Sequence, residues 1–474
     1  MFTISELFIN HFLTLNNLFF IVGIIIFLVC YYTFLKRAQW ISLLIASSIL
    51  ILFYDWRCFL IYIGFILITY LLARLIDSDN KKKSLTFLII GLVLITGSLI
   101  TLKLFNVIPV NFINVIGFSY LSFSTIAFLC DIYSKKCEAE KNIFRYALFV
   151  LYFPKIFEGP IEKYQSIKEQ LFANNKSFDD DRFFSALSRY IIGLFKIVII
   201  SNVISIYITS IKNNLGTANG VLVLSTIFIY PLELYFNFSG FMDLALGTSS
   251  LLGVDLKENF NNPFLSTRVS EIWSRWHISL TSWLKEYIYI PLGGNRKGSF
   301  RTILNILAVW LVSALWHGLS VHFLLWGLYF AIVIIIEKFN KEKETNSKFV
   351  IVMRRIRTYV FFAIGFSLFN VANMSEYLDI LKQLLSFSES FNIGFNYLLL
   401  LIPLCGIVLV YLFNYIDCFP SNNLVIVGKT ITDNKLSLTI NSLMIVIMLA
   451  AIILVSILLW GLGSTANEFA YFNF

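Results

Sequence analysis

Charge is what this chain has least of. Asp, Glu, Lys and Arg make up 14% of its 474 residues and hydrophobic residues 58%, against roughly 25% and 45–50% in soluble domains. Mean hydropathy is +0.79. The shortage of charge excludes an ordinary soluble domain and points to a polytopic membrane protein. Six cysteines (Cys30, Cys58, Cys130, Cys137, Cys405, Cys418) are scattered with no C-x-x-C spacing, which argues against a zinc or dithiol site and leaves them as packing residues. No Gly- or Ser-rich linker, low-complexity block or period of 20–50 residues is present, so one membrane-embedded domain over 1–474 is expected. The N-terminus lacks the basic region and cleavage site of a signal peptide, and Glu6 and His11 precede its first apolar run. It is expected to be retained as a membrane helix.

What the chain does have is apolar runs long enough, or nearly so, to cross about 30 Å of hydrocarbon. They extend from Leu18 to Leu35, Ile41 to Phe53, Phe59 to Ile76, Leu85 to Leu104, Tyr190 to Tyr207, Val221 to Phe236, Ile303 to Ile336, Val350 to Phe369, Tyr397 to Tyr415 and Leu438 to Leu459. Weaker candidates lie at Val115–Tyr133 and Tyr146–Phe157. The expected fold class is all-α, with about 11–13 transmembrane or re-entrant helices. The polar interval Glu162–Arg182 is expected to be a surface loop.

The net charge of +9 could in a soluble protein suggest nucleic acid. Here the basic residues cluster in short segments between apolar runs: Lys81–Lys83, Lys135-Lys136, Lys338 to Lys348, and Arg354-Arg355 with Arg357. That pattern reads as positive-inside topology and contact with anionic membrane lipids, with these loops cytoplasmic and no nucleic-acid partner.

Only 4 histidines occur, and two follow tryptophan in apolar surroundings, at Trp276-His277 and Trp316-His317. An imidazole at membrane depth must be hydrogen-bonded or line a wet cavity, so it either joins helices or handles protons. Trp273, Trp276, Leu280, Trp283, Leu284 and Tyr287 recur at spacings of three and four, which predicts one aromatic helical face beside His277. The plainer reading of that stripe is an interfacial or protein-buried helix. Pro291 to Gly298 then ends it as a basic glycine turn without a P-loop or dinucleotide pattern. His322 follows His317 by five residues, roughly 140° around a helix, and no third ligand stands nearby, so no metal is expected. Without a G-x-S-x-G elbow or a cysteine in these motifs, the remaining chemistry is histidine as general base in acyl transfer from an already activated donor.

Trp273 to Gly298 followed by Ser313 to Gly318 resembles the membrane-bound O-acyltransferase family, in the branch typified by the membrane subunit of bacterial alginate O-acetylation. Further matching stretches are Phe118 to Phe123, Phe153-Pro154 with Glu158 to Ile161, Leu234 to Asp243, Glu258 to Phe260 with Asn262 to Phe264, and Phe469 to Phe474. They run from about Gly117 to the C-terminus in the family's order, with the motif-bearing core at about 117–334. Ser274, Asn237 and Glu233 depart from common residues of the family.

The resemblance implies a bowl-like helical core pierced by a tunnel, with His317 catalytic and His277 supporting it. Arg275, Trp276, Ser279, Trp283, Tyr287, Ser313 and Trp316 are candidate tunnel residues. It also implies an acyl thioester substrate, such as acetyl-CoA, arriving from the cytoplasm, with no permanently bound cofactor. The group would pass across the bacterial cell membrane, often to an extracytoplasmic SGNH-type transferase that O-acetylates a cell-wall or secreted polysaccharide. Within the family the rival is D-alanyl transfer from a carrier protein to teichoic acid. Outside it the rival is a proton-coupled transporter or flippase, against which stands the lack of visible inverted repeats and paired intramembrane carboxylates.

Overall fold

The computed structural model describes residues 18–107, 115, 117–156, 159–340, 342–386, 397–415 and 435–461. Glu6, His11, Glu158, Cys418 and the Phe469–Phe474 tail lie outside them. The described residues are nearly all helical and contain no strand, only one isolated bridge pairing Phe260 with Trp276. Among them, seven helices are long and apolar enough to cross a membrane: Lys36–Tyr54, Trp56–Ile76, Lys81–Leu104, Asp180–Asn213, Gly220–Leu251, Gly298–His317 and Val321–Phe339. Four shorter apolar helices lie at Val22–Tyr32, Phe118–Tyr133, Tyr397–Tyr411 and Ser442–Val455. Lys348–Ser367 is also a helix, with Arg354, Arg355 and Arg357 in its first half.

Three expectations are corrected. The run from Ile303 to Ile336 is two helices, because the backbone straightens at Gly318 (φ 179, ψ 165) and a second helix starts after Ser320. The segment around Tyr146–Phe157 holds two short helices, the 9-residue Ile143–Leu151 and the 4-residue Phe153–Ile156, each far too short to span. Glu162–Arg182 is no simple surface loop: it contains the helix Tyr164–Leu171, which buries Tyr164, Ile167 and Leu171 at helical spacing.

Two compact units emerge, one from Met1–Tyr190 with Met242–Lys257, the other from Ile191–Phe241 with Glu258–Phe474. In the first, buried polar groups are matched across helices. Tyr146 donates to Thr69 Oγ1 at 2.8 Å, Tyr152 shares a hydrogen bond with Ser249 at 2.9 Å, and Arg189 pairs with Asp243 at 3.1 Å. Lys155 is almost fully enclosed, donates to the Phe149 carbonyl at 2.5 Å and lies 3.9 Å from that ring's centre. Burial, partly offset by Glu162, pushes its ammonium down to about 7.

The second unit is held by aromatic packing. Trp273, Trp310, Trp326, Phe330, Phe362 and Phe366 interlock, with Trp273 to Trp310 centroids at 4.9 Å and Trp310 to Phe330 at 5.4 Å. Such edge-to-face and offset contacts each add about 0.5–1.5 kcal/mol beyond area burial. Gly298–His317 and Val321–Phe339 form a tight helical hairpin because Gly327 has no side chain. A Cβ there would stand 2.8 Å from both Ala314 Cβ and the Trp310 carbonyl. Close approach through small residues is how helices gain packing energy in lipid, where the hydrophobic effect between them is absent.

Candidate active site

The site begins with a break in a helix. Val269–Arg275 is helical, Trp276 is extended (φ −116, ψ 130), His277 is left-handed (φ 47, ψ 52), and helix resumes over Ile278–Leu284. The continuous aromatic stripe expected from the sequence is therefore two short helices. A left-handed non-glycine residue costs about 1–2 kcal/mol, and pairing with a distant segment offsets it. Asn261 N–H donates to Arg275 O at 2.8 Å, Ile278 N–H donates to Asn259 O at 3.0 Å, and Phe260 bridges Trp276. At the N-terminus of the helix that precedes the break, Val269–Arg275, Glu337 accepts from Val269 N–H at 2.7 Å and Ser270 N–H at 2.8 Å. That satisfies two orphan donors of the first turn with a carboxylate that the helix dipole favours.

Asn259 also reaches His277. Its Oδ1 accepts the Ser279 backbone N–H at 2.8 Å, and its Nδ2 lies 3.3 Å from His277 Nδ1. His277 is buried, outside the membrane-spanning helices, with Phe238 at 4.9 Å and Trp316 at 5.8 Å packed edge-on against its ring. Burial pushes its pKa down to about 3, so the ring is neutral at physiological pH.

His317 ends the Gly298–His317 helix, also buried. Rings surround it: Trp316 at 4.7 Å, Trp326 at 5.0 Å, Phe369 at 5.0 Å and Phe323 at 6.2 Å. Trp316 thus touches both histidines.

Both histidines line one cavity of about 210 Å³. Ile306, Val309, Trp310, Ser313 and His317 form one of its walls, a stripe at spacings of three and four along a single helix face. Trp273, Trp276, Leu280, Thr281, Leu284, Trp326 and Phe366 contribute further apolar surface, and Lys285 and Tyr289 polar edges. Lys285–Tyr289 is a π-helical turn, a wider coil that often marks functional sites.

Of the residues expected from the sequence, His277, His317, Trp276 and Ser313 share the cavity. Trp316 bridges the histidines, and Ser279 anchors Asn259 through its backbone. Arg275 does not face the cavity; it pairs with Glu271 at 3.0 Å and reaches the Asn261 carbonyl at 3.4 Å. Trp283 and Tyr287 pack on each other with tilted rings 5.4 Å apart and are not among the residues that line the cavity. His322 begins the next helix, not the one that ends at His317, and meets Ser320 Oγ at 3.1 Å. Among the described residues no group of three His, Cys, Asp or Glu is placed to hold a metal ion.

The sequence reading did not single out Asn259, Lys285, Tyr289, Trp310, Trp326 or Phe366 as site residues. Trp310 was within reach of it, lying three residues before Ser313 and seven before His317 on one helical face. Asn259 stands in the matching stretch Glu258 to Phe260 but carried no role of its own there, and Phe366 arrives by long-range packing, which leaves no local signal.

Comparison with known proteins places this geometry. Residues 134–379 match the pattern of MBOAT, the membrane-bound O-acyltransferase family. The "Probable alginate O-acetylase AlgI" of Pseudomonas putida is 31% identical over 274 residues, 58% of this chain and 56% of that protein. The peptidoglycan O-acetyltransferase of Helicobacter pylori is 31% identical over 240 residues, 50% of this chain and 46% of that one. The teichoic acid D-alanyltransferase of Bacillus subtilis is 28% identical over 283 residues, 55% of this chain and 70% of that one. The chain spans about half the length of the first two.

Proposed function

This chain belongs to the membrane-bound O-acyltransferase family, a multi-pass membrane family, and from that premise we propose that it moves acetyl groups toward a cell-wall or secreted polysaccharide. The observation that carries the reading is the cavity shared by His277 and His317, with Trp316 packed against both rings. His317 acts as general base on an acceptor hydroxyl, and His277 supports it. The hydroxyl oxygen bonds to the acyl carbon, the C–S bond of the thioester breaks, and the hydroxyl proton passes through His317 to the leaving thiolate. Relatives named for alginate and peptidoglycan O-acetylation support acetyl as the group transferred.

The donor is a cytoplasmic thioester of the acetyl-CoA kind, bound as substrate, and the partner is an extracytoplasmic SGNH-type transferase in the bacterial cell membrane's outer environment. The relative named for teichoic acid D-alanylation supports the second reading, transfer of D-alanine from a carrier protein. Purified protein given acetyl-CoA or a D-alanyl carrier thioester separates the two: acyl exchange with the first alone supports acetylation, with the second alone reverses the choice. Exchange with neither overturns both. Sidedness is tested by placing single cysteines at Lys82 and Lys343 in intact cells. The positive-inside reading expects no labelling by an impermeant reagent, and ready labelling at both inverts the topology.

A further inference from the structure

Asn259 makes two contacts that together determine a proton's position. The Ser279 backbone N–H can only donate, so the Asn259 atom 2.8 Å from it is the carbonyl oxygen. The amide nitrogen, which can only donate, is therefore the atom 3.3 Å from His277 Nδ1. A donor facing Nδ1 requires that nitrogen to be the bare, accepting one. In a neutral imidazole the proton then sits on Nε2, which diverges from Asn259 on a ring that lines the cavity.

From this geometry we infer that Asn259 is a positioning residue that fixes His277 as the Nε2–H tautomer, so that His277 serves acyl transfer as a hydrogen-bond donor and not as a second base. The inference rests on the acyltransferase reading for its chemical role. When the acceptor hydroxyl attacks the thioester carbonyl, negative charge grows on the carbonyl oxygen, and a fixed neutral donor stabilises it without being consumed. The proton taken from the hydroxyl goes to His317 and on to the thiolate, so His277 ends the cycle in the state in which it began. The left-handed backbone at His277 and its pairing with Asn259 through Ile278 belong to the same device. They bring the ring and the amide together from segments 18 residues apart.

The test reads the tautomer directly. Full-length protein labelled with ¹⁵N-histidine carries only 4 histidines, and a His277→Gln difference spectrum assigns the one in question. The expected result is a protonated Nε2 and a bare Nδ1 at His277 in the unliganded wild-type protein. Asn259→Asp keeps an oxygen for Ser279 N–H but turns the other atom into an acceptor, so it is expected to move the proton to Nδ1. Transfer should then fall about 10²-fold in kcat, the scale of losing one oxyanion donor, with KM for the donor unchanged. A wild-type His277 protonated at Nδ1 overturns the inference whatever the enzyme's activity, as does an Asn259→Asp protein with the flipped tautomer and an undiminished kcat. A wild-type protein with the expected tautomer and no transfer to any acceptor overturns the acyltransferase reading and leaves the proton assignment standing. Because the wild-type spectrum decides by itself, a misfolded variant does not rescue the inference.

Discussion

The two Trp-His pairs look alike in the sequence and stand in opposite settings in the structure. His277 sits in a break, its backbone left-handed, its ring tied by a polar amide that came from another segment. His317 closes a regular helix inside a cage of four aromatic rings. A polar partner held in place sets which nitrogen carries the proton, whereas rings packed on several sides restrict how an imidazole can turn. Under the proposed function one dipeptide serves two jobs, a fixed donor and a base, and the neighbourhood distinguishes them.

The sharpest way to break this contrast is to remove each imidazole in turn. His317→Ala is expected to lower acyl transfer by about 10²–10⁴, the usual worth of a general base, with an unchanged elution profile on gel filtration; near-wild-type transfer would end its assignment. His277→Ala should cost less, about 10²-fold, as expected for a donor. If the two single variants and the double variant are equally slow, the pair acts as one unit and the division of labour fails.

Trp276 sharpens the comparison on the stability side. It is 1% exposed and packs on Tyr235, Phe260, Phe264, Phe362 and Phe366 while also facing the cavity. Trp276→Ala is accordingly expected to cost about 3–5 kcal/mol, seen as a large drop in detergent melting temperature. Trp276→Phe keeps most of the packing, so any loss of transfer in that variant at nearly wild-type melting temperature reports the cavity wall alone. Equal, proportionate losses of stability and rate in both variants would make Trp276 purely structural.

The smallest expected effect is a pH dependence. A free imidazole titrates near 6.5 and the buried His277 near 3, so between those values the unfolded chain binds a proton that the folded chain does not. Stability is then full above about pH 6.5 and declines as the pH falls toward 3. Melting curves across that range should show the decline in the wild type and a shallower one in His277→Gln. Identical slopes would mean that His277 is not buried as a neutral ring.

Much of this could be read in advance. Apolar runs located the helices, because a helix satisfies its own backbone polar groups in lipid, and scarcity of histidine pointed to the two residues that the structure brings to one cavity. The stripe from Ile306 to His317 obeys simple helical spacing. Illegible were the features that depend on distant contacts: the break at Trp276-His277, held by residues 259–261, and the division of the Ile303–Ile336 run at Gly318. Periodicity predicts a single helix wherever spacing continues, and it has no means of seeing a strand-like pairing that overrides it. The π-helical turn at Lys285–Tyr289 is a second case, since one wider coil moves Tyr287 out of the register that the sequence implied.

The wall from Ile306 to His317 also sets a length. Eleven residues at 1.5 Å each separate the ends of that wall by roughly 16 Å, so the lining follows one helix for about three turns and His317 stands at one end of it. Under the proposed acyl transfer, a thioester that approaches His317 along this wall carries its reactive carbon at the end of an arm about as long as the wall. Shortening that arm should weaken turnover more than it weakens docking, because the missing length is what carries the carbon to the base.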